Sequence, residues 1–221
     1  MMNLGIVLPE PGYLADIKEL LHSRGAYLAY DEVKTGLTAG PAGATGVLGV
    51  TPDLVCLAKA LGGGIPCGAI GGTEELMGLI ADGEYEQVGT FNGNPLTVAA
   101  ARTVLTEILD EVAYEHLARL AKQAVAGVER LIDEFALPAH VVSVGAKGCV
   151  TFSDTPVRNY RDFLAIDDRW SHAHWLFQHN GGVFLPPWGK AEQWLISVQH
   201  TEEDIDRFLD NLEVFGRALR R

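Results

Sequence analysis

The chain reads as an α/β protein: an open sheet covered on both faces in the first part, then a smaller α/β domain. Three observations carry this. Short, near-continuous apolar runs alternate with helical stretches early in the chain, the pattern of strands that helices cover on both sides. From about residue 111 the character changes to one long amphipathic helix followed by strand-like runs, which sets domains of 1–110 and 111–221. A length of 221 residues, 48% hydrophobic and 21% charged, is enough to bury a sizeable core.

Taken in order, PEPG at 9–12 is a turn, and a helix follows over about 13–24, with Leu14, Ile17, Leu20 and Leu21 on one face. Gly25 ends it, and AYLAYDEV at 26–33 reads as a buried strand closing in acids. TGLTAGPAGATGVLGV has no strong period and reads as a glycine-rich loop. PDLVCLAKA is a second buried strand, running into Lys59, and PCGAIGG at 66–72 a third. Thr73 caps a helix beginning TEELMGLI, and Pro95 suits the first turn of a helix over 94–109. Beyond the boundary come a helix over about 112–135, strands in PAHVVSVG and CVTFS, and a helix around 170–179. Strands at 181–185 and 194–199 follow, and then a terminal helix opening at Thr201 with acids in its first turn.

Charge narrows the function classes. With 29 acids against 17 bases the formal net charge is −12, which opposes nucleic acid or an anionic membrane as partner. Cys56, Cys67 and Cys149 are scattered, odd in number and form no CxxC, so reduced thiols are expected rather than disulfides or a zinc site. MMNLGIVLPEPG lacks the layout of a secretory signal, and no unbroken apolar run is long enough to span a bilayer. The expected compartment is the cytoplasm. His172 and His174, with His179 nearby, do not share a helix face at i and i+2, so no metal site is expected. The aromatics Phe184, Trp188 and Trp194 read as packing.

The chemistry concentrates in three places. CLAKALGGG at 56–64 sets a lone lysine in an apolar run, where an ammonium is costly unless paired or used, with glycines that leave room beside it. Asp31 ends the preceding strand, where open α/β sheets place ligands. GTFNGNPL at 89–96 puts the Thr90 hydroxyl on a loop before a helix, a setting for an anion such as phosphate. An amine, an acid and a phosphate cradle are the parts a pyridoxal phosphate enzyme needs. Taken singly, the lysine and the acid have blander readings: a snorkelling lysine, or an acid that binds metal or ribose or caps a helix. A nucleotide-binding domain fits poorly, because neither GxxxxGK[ST] nor a complete GxGxxG occurs and Cys67 stands where the last glycine belongs.

Together, YDEVKTG, GVTPDLVCLAKALGGGIPCGAIGG, GTFNGNPL and the late HTEEDIDR resemble, in order and spacing, the class III pyridoxal phosphate aminotransferases. Within them the likeness is strongest to the glutamate-1-semialdehyde aminomutase branch. The resemblance implies the C-terminal half of a fold-type I transferase: the C-terminal part of the cofactor-binding large domain, then the small domain. It implies that Lys59 is the Schiff-base lysine, that Asp31 pairs with the pyridinium nitrogen, that Val33 packs on the ring face and that Thr90 binds cofactor phosphate across a homodimer interface. Glu192 aligns, with one inserted residue, to a glutamate near the substrate. The implied activity is transamination or intramolecular amino transfer between an amino donor and a carbonyl acceptor. Ala58 departs mildly from the family, which carries a glycine or similar small residue before the lysine. Length departs more, since family members are about twice as long. The family's glycine-rich phosphate loop and ring-stacking aromatic lie in the half not seen here. The alternative is therefore a non-catalytic fragment or subunit that needs a separate N-terminal half or partner chain.

Overall fold

The computed structural model describes residues 1–186 and 189–220, and of Glu192 the backbone alone. The chain divides into two compact units, Pro9–Tyr114 and a second made of Met1–Leu8 with Glu115–Arg221. The first eight residues thus belong with the C-terminal unit.

The Pro9–Tyr114 unit holds α1 (Tyr13–His22), β1 (Ala29–Asp31), α2 (Gly43–Leu48), β2 (Leu54–Leu57), β3 (Ala69–Gly72), α3 (Glu74–Ala81) and α4 (Pro95–Thr103). Its sheet has the order β1-β2-β3, with β1 parallel to β2 and β3 antiparallel to it. Buried Asp53 ties the first crossover together, accepting from the Leu28 amide at 2.7 Å and bonding the His22 ring at 2.9 Å. Those partners, the ring first, hold its carboxyl below the ordinary range. Thr73 caps α3, accepting from the Leu76 amide at 3.4 Å, and Asn94 caps α4, accepting from Thr97 at 3.1 Å with Pro95 in the first turn. The helix expected over 94–109 runs on from α4 as a π-helical segment, Val104–Ile108.

Two expectations fail in this unit. The strands are exposed or half-buried along their length rather than buried, since this unit's own helices leave both sheet faces partly open. The glycine-rich stretch after β1 is not all loop, because α2 forms in it without a periodic apolar face. Leu20 is likewise exposed, although Leu14, Ile17 and Leu21 are half-buried.

The second unit holds α5 (Glu111–Phe135), which starts at the end of the first, then β4 (His140–Val144), β5 (Lys147–Thr151), α6 (Tyr160–Ala165), α7 (Asp168–Asn180), β6 (Ala191–Leu195) and α8 (Glu202–Leu219). Its sheet is antiparallel, β4-β5-β6. The core joins Leu120, Ala124, Val128 and Leu131 of α5 to Phe208, Leu212 and Phe215 of α8. Two glycines let the helices approach: a Cβ on Gly127 would lie 2.3 Å from Leu209, and one on Gly216 2.5 Å from the Phe135 ring. Gly148 faces Trp194 across β5 and β6, where a Cβ would stand 1.9 Å from the indole.

The strand expected at 181–185 is absent. Gly182 at φ +82 turns the chain out of α7, and the Val183 amide closes that turn on the Gln178 carbonyl at 2.9 Å. The last strand starts and ends earlier than the expected 194–199, because pairing with β5 fixes it at Ala191–Leu195. Phe184 is exposed, whereas Trp194 is core; Trp188 lies outside the described residues. Of the two histidines of the HxH pair, His174 is buried among Phe152, Phe208 and Phe215, and the His172 ring lies against Trp175.

Candidate active site

The carboxyl ends of β1 and β2 lie side by side, since Asp31 is in register with Cys56 and the Glu32 amide extends the pairing to the Cys56 carbonyl at 2.9 Å. Consecutive residues here alternate in environment, as a strand dictates. Asp31 is exposed, Glu32 buried and Val33 half-buried. One carboxylate oxygen of Asp31, Oδ1, accepts from the Val33 amide at 3.0 Å, a local turn that steadies the group.

Glu32, 2% exposed, faces the opposite way. Its Oε2 accepts from the Thr35 hydroxyl at 2.8 Å and the Ala44 amide at 2.7 Å. Its Oε1 accepts from the Thr45 amide at 2.8 Å and the Thr45 hydroxyl at 2.7 Å. Burial pushes the carboxyl up, but these bonds, those from Thr45 foremost, outweigh it and hold the group below the ordinary carboxylate range. Gly43 is obligatory beside it: its φ is +59, and a Cβ would fall 2.3 Å from Glu32 Oε2.

Lys59 lies two residues beyond β2. Ala58 is still extended, and Lys59 opens a single 3-10 turn, Lys59–Gly62, with the Leu61 amide donating to the Ala58 carbonyl at 3.1 Å. Its φ is +50, the left-handed region that L-residues avoid. The side chain is exposed, which corrects the expectation of a buried ammonium: the left-handed turn carries Lys59 out of the apolar run. The glycines serve the exit from this turn. Gly63 and Gly64 have φ of +57 and +104, and a Cβ on Gly63 would meet Val104 at 2.8 Å. Lys34, three residues past Asp31, feels the same neighbourhood; burial lowers its proton affinity and the Lys59 charge lowers it further.

Thr90 is exposed in the turn before α4, a turn braced by the Asn92 amide group on Gln87 Oε1 at 3.1 Å. No hydrogen bond among the described residues joins Thr90 to Lys59 or Asp31. Glu192 belongs to the other unit; its backbone pairs with Val150 within β6, and its side chain lies outside the described residues. The structure therefore brings Asp31, Val33 and Lys59 to one sheet end, with Thr90 on a separate loop of the same unit. Sequence reasoning passed over Glu32. The available signal was an acid between two residues of the opposite strand face, followed by threonines and small residues able to donate to it.

Residues 2–214 match the family described as Aminotransferase class-III. Among curated proteins, the chain is 36% identical over 209 residues to glutamate-1-semialdehyde 2,1-aminomutase 2 of Brevibacillus brevis, covering 94% of this chain and 48% of that protein. It is 39% identical over 209 residues to glutamate-1-semialdehyde 2,1-aminomutase of Thermomicrobium roseum, with the same coverage of 94% and 48%. Among solved structures, an omega-transaminase from Sphaerobacter thermophilus superposes with a TM-score of 0.90 at 29% identity, covering 99% of this chain and 50% of that one. A glutamate-1-semialdehyde-aminomutase from Pseudomonas aeruginosa PAO1, in complex with PMP, gives 0.86 at 30% identity, covering 97% and 49%. The chain spans about half the length of the curated relatives it matches, and its architecture is that of the C-terminal half of fold-type I transferases. Matched almost from end to end, it belongs to the class III aminotransferase family.

Proposed function

We propose that the chain supplies the lysine and the ring-facing carboxylate of a pyridoxal-phosphate-dependent amino-transfer site. The observation that carries this is the pairing of an exposed lysine, held in a left-handed backbone conformation, with an exposed aspartate at the same end of two adjacent parallel strands. Strain of this kind, of order 1–3 kcal/mol, persists where the surroundings enforce it and gathers at functional sites. The donor set suits the cofactor: an amine able to bond a carbonyl carbon, and a carboxylate able to hold a proton on a ring nitrogen.

When bound, pyridoxal phosphate supplies an aldehyde for amines and an electron-withdrawing ring. Lys59 Nζ would hold the group at that carbon and would take and return a proton as general base and acid. Asp31 keeps the ring nitrogen protonated, while Val33 supports the ring face. The Thr90 hydroxyl binds phosphate, in this reading on a second copy of the chain, so that a homodimer shares its sites. Glu192 is the proposed substrate contact. Amino donors and carbonyl acceptors are the substrates, whether the amine passes between molecules or within one. The first unit is the cofactor-binding part and the second the small domain, in a cytoplasmic enzyme.

Borohydride reduction after adding pyridoxal phosphate, followed by peptide mapping, tests the reading. A visible absorbance band and a label on Lys59, both lost in Lys59→Ala, are expected; a label elsewhere overturns the assignment. A second reading draws on the half-length match and on exposed apolar residues such as Val88, Phe91 and Leu96. In it, the chain works only when joined by a separate N-terminal half. A band that appears only on adding that half supports it.

A further inference from the structure

We infer that Glu32 is a positioning residue: by clamping the 43–45 turn to the end of β1 it fixes the backbone that aims the Asp31 carboxylate and Val33. The inference rests on the proposed role of Asp31. A buried carboxylate that accepts four hydrogen bonds is either fully satisfied or expensive to keep, and here each oxygen takes one backbone amide and one hydroxyl. The donors come from two sides. Thr35 lies directly after the strand end, whereas Ala44 and Thr45 begin α2, about a dozen residues further on. The Glu32 carbonyl meanwhile accepts from the Gly36 amide at 2.7 Å. Gly36 itself has no room for a side chain, since a Cβ would lie 2.4 Å from Leu57 and 2.8 Å from that carbonyl. The segment that follows is therefore fastened to Glu32 through both its backbone and its side chain. Because Asp31 and Val33 flank Glu32 and are bonded to one another, their orientation follows from where Glu32 is held.

Glu32→Gln is the informative change. A carboxamide has one acceptor oxygen, so its NH2 must face one of the two backbone amides, and that amide loses its partner. Thr45→Val removes one hydroxyl donor, keeps the charge and both amides, and guards against a variant that fails to fold. Two readouts apply to the 221-residue chain: amide exchange at Val33 without cofactor, and pyridoxal phosphate affinity by absorbance titration. We expect faster exchange at Val33 and cofactor binding weakened about tenfold in Glu32→Gln, the scale typical of supporting residues, with smaller shifts of the same sign in Thr45→Val. Val33 exchange and cofactor affinity unchanged in both variants, even with a lowered melting temperature, would reduce Glu32 to a structural role and sink the inference. If the wild-type chain takes no label on Lys59 either alone or with an added N-terminal half, the cofactor reading fails, and Val33 exchange alone then decides for or against the clamp.

Discussion

Lys59 adopts φ +50 without being glycine or asparagine, and among the described residues only Leu37 and Ala136 share that trait outside glycine. The left-handed conformation costs an L-residue roughly 1–2 kcal/mol, a cost glycine escapes. Lys59→Gly should therefore leave the unfolding free energy unchanged or raise it by up to about 1 kcal/mol, while abolishing the borohydride label. Urea denaturation measures the first effect. A clear loss of stability would mean that the lysine side chain contributes to packing and that its backbone is not held against its preference. Lys59 and Asp31 stand out in the sequence because each follows or ends an apolar run within motifs whose spacing carries information. The exposure of Lys59 was not legible, since an apolar run implies burial and nothing local announces a left-handed turn. Glu32 escaped notice for a related reason: three of its four hydrogen bonds come from Ala44 and Thr45, in a segment that only the folded chain brings back to the strand.

The longer elements with capping signals were found where those signals stood. Thr201 and Asp204 form a reciprocal capping box at the start of α8, the Thr201 amide donating to Asp204 at 2.8 Å and the Asp204 amide to the Thr201 hydroxyl at 3.4 Å. Thr201→Ala should destabilise the chain by about 1 kcal/mol, read as a shift of the urea midpoint without a change in slope. An unaltered midpoint would show that core packing by Phe208, Leu212 and Phe215 alone sets the start of the helix. Short elements were missed. The six-residue α2 and α6 have too few turns to show a period, although α6 carries an Asn159–Asp162 capping box of its own. The misplaced last strand has a different cause: its limits come from register with β5, a long-range property that an apolar run does not encode.

Across the whole molecule, apolar burial is uneven. Leu120, Val128, Leu131, Leu212 and Phe215 are sealed in the second unit, whereas Val88, Phe91, Leu96 and Val98 of the first are exposed. Regions with few buried apolar contacts open at low free energy, so hydrogen exchange followed by mass spectrometry should find peptides from 85–98 exchanging first and those from 117–135 and 205–216 last. Uniform exchange across these peptides would contradict the burial pattern. The α/β class was legible because it follows from composition and periodicity over long stretches. The grouping of Met1–Leu8 with the second unit was not, because it rests on long-range contacts, among them Gln193, whose side-chain amide donates to the Met2 and Gly5 carbonyls, the latter at 2.8 Å. That link makes the second unit discontinuous in sequence, with residues 9–114 falling between its two segments. During synthesis Met1–Leu8 is made before those residues, and Gln193 long after. The Pro9–Tyr114 segment has therefore left the ribosome before the second unit can close on its early strip, a long-range contact that is formed late.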